Sequence, residues 1–301
     1  MKNSRHGLKW SFYSILILAI GYGCFAMYLE FSLRRSVLQA QRLPLSLFHF
    51  LRAGALIRQP VVDDIPSAPA EENFSDSISY ASLLADGEIQ VSMYIEMTQP
   101  GTDWSLVVDR LQKRANASDV RLKILPNKEA FLEALQNDDV VLFFGHSNMG
   151  LGLNLHSSSL NTNVLLQVEG SVLQDPLPEK AKRVAERYKV ERMPKIESPV
   201  FIQLGCRTMI HYRNALIDHS SAQSSFLLTH FEWSPGFHFS RALDLLCQTL
   251  EKRQNIDVLL ERWEQLYTAQ LLFGRSRQLR KYPEETHLSN SLFEWVGPEG
   301  D

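Results

Sequence analysis

The sequence predicts an α/β fold: a three-layer domain with a mostly parallel sheet and helices on both faces, preceded by one N-terminal transmembrane helix. Three observations predict it. From Gly87 onward, strand-like apolar runs alternate with segments of helical periodicity, the order that builds a parallel sheet covered by helices. Several of these runs, DVVLFFG and PVFIQLG among them, are apolar nearly throughout, as strands buried on both faces are. Finally, Trp10 to Leu29 is an uncharged stretch of about 20 residues, the length that a helix rising 1.5 Å per residue needs to cross a bilayer.

The amino terminus reads in four parts. Residues 1–9 form a basic flank with Lys2, Arg5 and Lys9, and residues 10–29 form the membrane span. That span is long and lacks an Ala-x-Ala cleavage site, so it is expected to stay as an anchor rather than be removed as a signal peptide. The chain is therefore expected to be a single-pass membrane protein. Its sidedness is left open, because Arg34, Arg35 and Arg42 beyond the span offset the charges before it. Residues 30–57 mix Leu and Phe with Arg around Pro44, which suits juxtamembrane amphipathic helices at the bilayer surface or packed on the soluble domain. Residues 58–79, rich in Pro, Ser and acidic side chains without periodicity, read as a linker. The folded domain is expected over residues 80–301.

Within it, GEIQVSMYIEM reads as a first strand. WSLVVDRLQKRANA follows as a helix with Trp104, Val107, Val108 and Leu111 on one face. VRLKIL is a short second strand. Asn127 is placed to cap the helix KEAFLEALQ, whose apolar side carries Phe131, Leu132 and Leu135. DVVLFFG, a buried strand, runs into Gly145-His146-Ser147. After a variable stretch with a charged helix from about Glu179 to Glu191, PVFIQLG runs into Cys206-Arg207-Thr208. SSFLLTHFEW is a third buried strand ending at Trp233-Ser234-Pro235-Gly236. Two helices close the domain, FSRALDLLCQTLEK and IDVLLERWEQLYTAQLLFG.

Composition excludes several functions. In 301 residues, a hydrophobic fraction of 45% and a charged fraction of 22% describe a globular chain with a core. A net charge of −3, from 31 basic and 34 acidic residues, supplies no field to gather nucleic acid, and no such partner is expected. The 3 cysteines, Cys24, Cys206 and Cys247, form no CxxC pair and no zinc-type spacing, so neither a metal nor another cofactor is expected. A Cys206–Cys247 disulfide stays open if the domain faces an oxidising compartment. No GxGxxG or GxxxxGK loop appears, which argues against a nucleotide.

In parallel sheets, ligands bind beyond the carboxyl ends of the strands. His146 and Cys206 each follow a buried run and a glycine, so neighbouring strands would present an imidazole beside a thiol. That pair is a nucleophile with its base. Singly, a strand-end histidine is a satisfied polar residue and a cysteine there is a small apolar filler. Other histidines, His211, His219, His230 and His238, are alternative partners for the thiol.

Three segments carry a family resemblance. NKEAFLEALQNDDVVLFFGHSNMG resembles the helix and strand that lead to the catalytic histidine in the CHAT family, a branch of the clan of caspases, gingipains, legumains and separase. PVFIQLGC is similar to the clan's strand ending in its nucleophilic cysteine. SFLLTHFEWSPGFHFSRALDLLCQTLEK resembles the next strand, its Trp-x-Pro turn and the following helix. The resemblance implies a caspase-like cysteine peptidase with His146 as general base and Cys206 as nucleophile. It implies an oxyanion hole from the backbone N–H groups of Ser147 and Cys206, and a protein or peptide substrate. It places Glu232 and Trp233 at the pocket for the substrate side chain before the scissile bond, where a carboxylate would favour Arg or Lys. Glu169 and Asp175 are further acidic candidates. Two departures are visible: Ser147 stands where the family has glycine, and Arg207-Thr208 where it often has an acidic and a small residue. They keep open a second reading, a catalytically inactive caspase-fold module for interaction or sensing at the membrane. A third reading is an unrelated doubly wound domain that binds a small ligand.

Overall fold

The computed structural model describes residues 62–96, 109–111, 113, 119–173, 179–230, 238–281 and 291–297, with helical positions at 24, 27, 28 and 31. The remaining positions of the expected span and juxtamembrane segment, and Trp104, Val107 and Val108, lie outside the described residues. No helix among the described residues is long and apolar enough to cross a membrane.

In chain order, the domain begins with a two-stranded ribbon, β1 (Asn73–Ser75) and β2 (Ile78–Ser79), and the short helix α1 (Tyr80–Leu83). There follow β3 (Ile89–Ile95), β4 (Val120–Ile124), α2 (Lys128–Asn137) and β5 (Val140–Phe144). A hairpin of β6 (Leu153–Ser157) and β7 (Thr162–Gln167) leads to α3 (Glu179–Arg187), β8 (Lys189–Arg192) and β9 (Val200–Leu204). The chain closes with α4 (Thr208–Asp218), β10 (Ser225–Thr229), α5 (Phe239–Glu251), α6 (Ile256–Lys281) and β11 (Phe293–Val296).

The central sheet has six strands in the order β11-β10-β9-β5-β3-β4. Every neighbouring pair in it is parallel except β10 with β11. The fold class is thus mixed α/β with a mostly parallel central sheet. Alternation along the strands divides the side chains between two faces. Val140, Leu142, Phe144, Ile202 and Leu204 join one apolar cluster with Phe239, Leu243 and Leu246 of α5 and Leu259 and Trp263 of α6. Val141, Phe143 and Phe201 join the other, with Phe131 and Leu135 of α2 and Tyr212 and Leu216 of α4. Helices therefore cover both faces, and β5 and β9 are buried at every position.

Local rules fix several boundaries. The side chain of Asn127 accepts from the Ala130 amide at 2.9 Å and starts α2. Phe131, fully buried, meets Tyr94, Phe143 and Phe201 edge-on at ring separations of 6.0–6.3 Å. The charged run after Glu179 splits, because Lys189–Arg192 adds to β7 as a strand and Glu191 pairs with the buried Lys128 at 2.6 Å. Residues 62–79, read as linker, pack on the domain. Val62, Ile65, Phe74 and Ile78 are buried. Arg241 donates to the Val62 carbonyl at 2.8 Å and to Asp64 at 2.9 Å. A polar composition hid four apolar anchors spaced too irregularly to show a period. β11 had no counterpart in the sequence reading; its start is tied down by Glu264, which accepts from the Leu292 and Phe293 amides.

Candidate active site

The strand order reverses between β3 and β5, since β4 lies on one side of β3 and every later strand of the sheet on the other. At such a switch point the loops beyond the carboxyl ends diverge and leave a crevice. Ile95, Phe144 and Leu204 lie level across β3, β5 and β9. Glu96, Gly145-His146 and Gly205-Cys206 therefore leave one rim of the sheet side by side. The Gly145 amide still donates to the Leu204 carbonyl at 3.1 Å. Gly205 is needed for this approach: a Cβ there would lie 2.8 Å from the Gly145 carbonyl oxygen and 3.5 Å from the Ser147 amide nitrogen. The sequence-predicted His146, Ser147 and Cys206 are thus brought to one corner, with His146 exposed and Cys206 half-buried.

Cys206 sits in a sharp strand-to-helix turn. Arg207 takes the left-handed conformation, φ 54°, ψ 36°, and caps α4 without a side-chain hydrogen bond. A non-glycine residue there costs about 1 kcal/mol or more, so the turn is held from outside. Two fully buried hydroxyls hold it. The Thr208 hydroxyl donates to the Gln203 carbonyl at 3.1 Å and lies 3.0 Å from that of Thr229, which donates to the Gly205 carbonyl. Cys206 thereby stands at the amino terminus of an 11-residue helix, where the backbone dipole favours an anion.

The histidine corner is held differently. The Glu96 carboxylate accepts from the His146 amide at 2.6 Å through Oε2 and from Asn154 Nδ2 on β6 at 2.7 Å through Oε1. Burial pushes that carboxyl up to about 7, against the pull of these two hydrogen bonds. The buried Tyr212 of α4 donates its phenol to the Ser147 carbonyl. Ser147 itself has φ −76° and ψ −12°, a conformation open to any L-residue, so serine replaces glycine without backbone strain. The strain falls one step later, on Asn148 and Met149 at φ 48° and 59°.

The alternative histidines are engaged elsewhere. His211 Nδ1 lies 2.8 Å from the Val172 carbonyl, and burial lowers its pKa. His219 contacts the Met193 carbonyl at 2.6 Å, and His230 pairs with Glu294 at 2.5 Å. The His238 ring lies against Tyr267. Glu169 is exposed and pairs with Arg192. Glu232, Trp233 and Asp175 lie outside the described residues. Cys206 and Cys247 both carry thiols, and Cys247, on α5, is buried in the core. No metal-binding cluster occurs among the described residues.

Glu96, Asn154, Thr208, Tyr212 and Thr229 escaped the sequence reading as site residues. Glu96 had a signal: it ends a buried strand as His146 and Cys206 nearly do. The others act through contacts between distant elements. Compared with family models, with characterised proteins and with solved structures, the chain matches none.

Proposed function

We propose that the chain is a membrane-anchored, caspase-like cysteine peptidase of the CHAT type, acting on protein or peptide substrates through His146 and Cys206. The observation that carries the reading is the register of β5 and β9, which delivers Gly-His and Gly-Cys to one rim on adjacent strands. In the proposed cycle, the His146 imidazole takes the Cys206 proton and the thiolate attacks the scissile carbonyl carbon. The amides of Ser147 and Cys206 stabilise the oxyanion. As the C–N bond breaks, His146 returns its proton to the leaving amine, leaving a thioester on Cys206. Water, deprotonated by His146, attacks the thioester; the carboxylic acid departs and the thiol is restored.

Iodoacetamide labelling of the full chain tests this reading. Cys206 is expected to alkylate far faster than Cys247, and His146→Ala to slow Cys206 alone. Equal rates at both thiols, unchanged by His146→Ala, would overturn it. The second reading, an inactive interaction or sensing module of the same fold, is favoured by the buried Ser147 in place of glycine. It predicts that Cys206→Ala leaves the cellular function intact.

A further inference from the structure

Asn154 presents an unusual pattern for a side chain beside a buried carboxylate. Its Nδ2 donates to Glu96 Oε1, yet its Oδ1 is buried without a hydrogen-bond partner among the described residues. A buried acceptor left unmade costs about 1–3 kcal/mol. A side-chain amide can turn over and exchange its donor and acceptor ends. Glu96 has one oxygen on this amide and the other on the His146 backbone N–H, which cannot turn over.

We propose that Glu96 and Asn154 form a proton-dependent clamp on the His146 loop, with Glu96 as a positioning residue that grips the His146 amide strongly as a carboxylate and weakly as a neutral acid. This rests on the function proposed above, because its consequence is the placement of His146 against Cys206. The two states balance. In the charged state, Oε2 accepts from His146 and Oε1 accepts from Asn154 Nδ2, leaving Asn154 Oδ1 unpaired. On proton uptake the hydrogen settles on Oε1, the amide turns, and Oε1–H donates to Oδ1; Oε2 keeps the His146 amide as an uncharged acceptor. The turn exchanges which end of Asn154 is unpaired, Oδ1 in the first state and Nδ2 in the second, so the states differ in the bond to the His146 amide, which is charge-assisted only in the first.

The surroundings suit such an exchange near neutral pH. The pKa of the carboxyl is raised to about 7 by burial. Tyr94, from the same strand, accepts from the His156 amide, and Tyr212 faces the loop from α4. Burial raises both phenols further above their ordinary value, so they stay neutral through this range. Asn154 brings no charge from β6, and among the described residues His146 and Cys206 are the further titratable side chains that leave this rim. Gly145 completes the packing, since a Cβ there would run into the Glu96 carboxylate.

Glu96→Gln tests the clamp, because glutamine reproduces the neutral state: Oε1 accepts from His146 and Nε2 donates to Asn154 Oδ1. Amide NMR of the full chain between pH 5.5 and 8.5 should show the His146 N–H moving with a midpoint near 7 in the parent. In Glu96→Gln that component should vanish, leaving the shift close to the parent's low-pH value. Cys206 alkylation in Glu96→Gln should be slower at pH 8 by about fivefold to tenfold, the size of one weakened charge-assisted bond, and equal to the parent's at pH 5.5. A parent His146 amide that does not move, or moves identically in Glu96→Gln, overturns the clamp. If the amide titrates as expected but His146→Ala leaves Cys206 alkylation unchanged, the clamp stands and the peptidase reading falls.

Discussion

The two corners that meet at the rim are alike in sequence and unlike in support. Each is a buried strand followed by glycine and a reactive residue. The Gly205-Cys206 corner is fastened by uncharged buried hydroxyls, Thr208 and Thr229, and by a helix that begins at once. The Gly145-His146 corner is fastened by an ionisable carboxyl and continues into a loop with successive residues at positive φ. A hydroxyl clamp does not titrate, whereas a carboxyl displaced to about 7 does. The Cys206 corner is thus held by a fixed frame, and the His146 corner by one that answers to pH.

The comparison can be broken by removing what both corners share. Phe144 is fully buried and stacks on Phe239 at 4.1 Å. Phe144→Ala should cost about 3–5 kcal/mol in denaturant unfolding and loosen both corners together. Gly205→Ala separates them instead. The new Cβ, 2.8 Å from the Gly145 carbonyl, should cost about 1–3 kcal/mol and remove the dependence of Cys206 alkylation on His146.

Thr229→Val isolates the cysteine corner. Leaving the Gly205 carbonyl without its hydroxyl donor, while Thr208 keeps the Gln203 carbonyl and the residue 229 amide, should cost about 1–3 kcal/mol, equally at every pH from 5 to 8. Glu96→Gln isolates the histidine corner and should act on pH dependence. The folded Glu96 carboxyl lies at about 7 against an ordinary 4.5. Its raised value means that it favours the fold fully below pH 4.5, a contribution lost as pH rises through 7. Asp139, raised from 3.8 to about 6 by burial, has the same sign. Thermal unfolding of the parent should therefore weaken from pH 4.5 to 8, and Glu96→Gln should flatten the part of that slope near 7, leaving the part due to Asp139. A slope that persists unchanged near 7 would show that the two corners respond alike to pH.

Much of the architecture is legible in the sequence. DVVLFFG and PVFIQLG declared buried strands because a strand covered on both faces has no polar side to show, and Asn127 declared a helix start because its side chain substitutes for a missing carbonyl. The hairpin of β6 and β7 was not legible. Its buried residues, Leu153, Leu155, Val164, Leu165 and Leu166, are interrupted by Asn, His and Ser chosen by contacts with α2 and β3, such as the Ser157–Glu129 bond.

By itself the sequence determined which residues could be reactive and that each stands at the end of a buried strand, because hydrophobic periodicity and strand termination are local properties. Only the tertiary structure decided that β5 and β9 are neighbours in level register, that Ser147 needs no glycine, and that Glu96 reaches the His146 backbone across 50 positions of chain. Strand order and hydrogen bonds between distant segments are chosen by the packing of the whole sheet, and no stretch of sequence carries that choice alone.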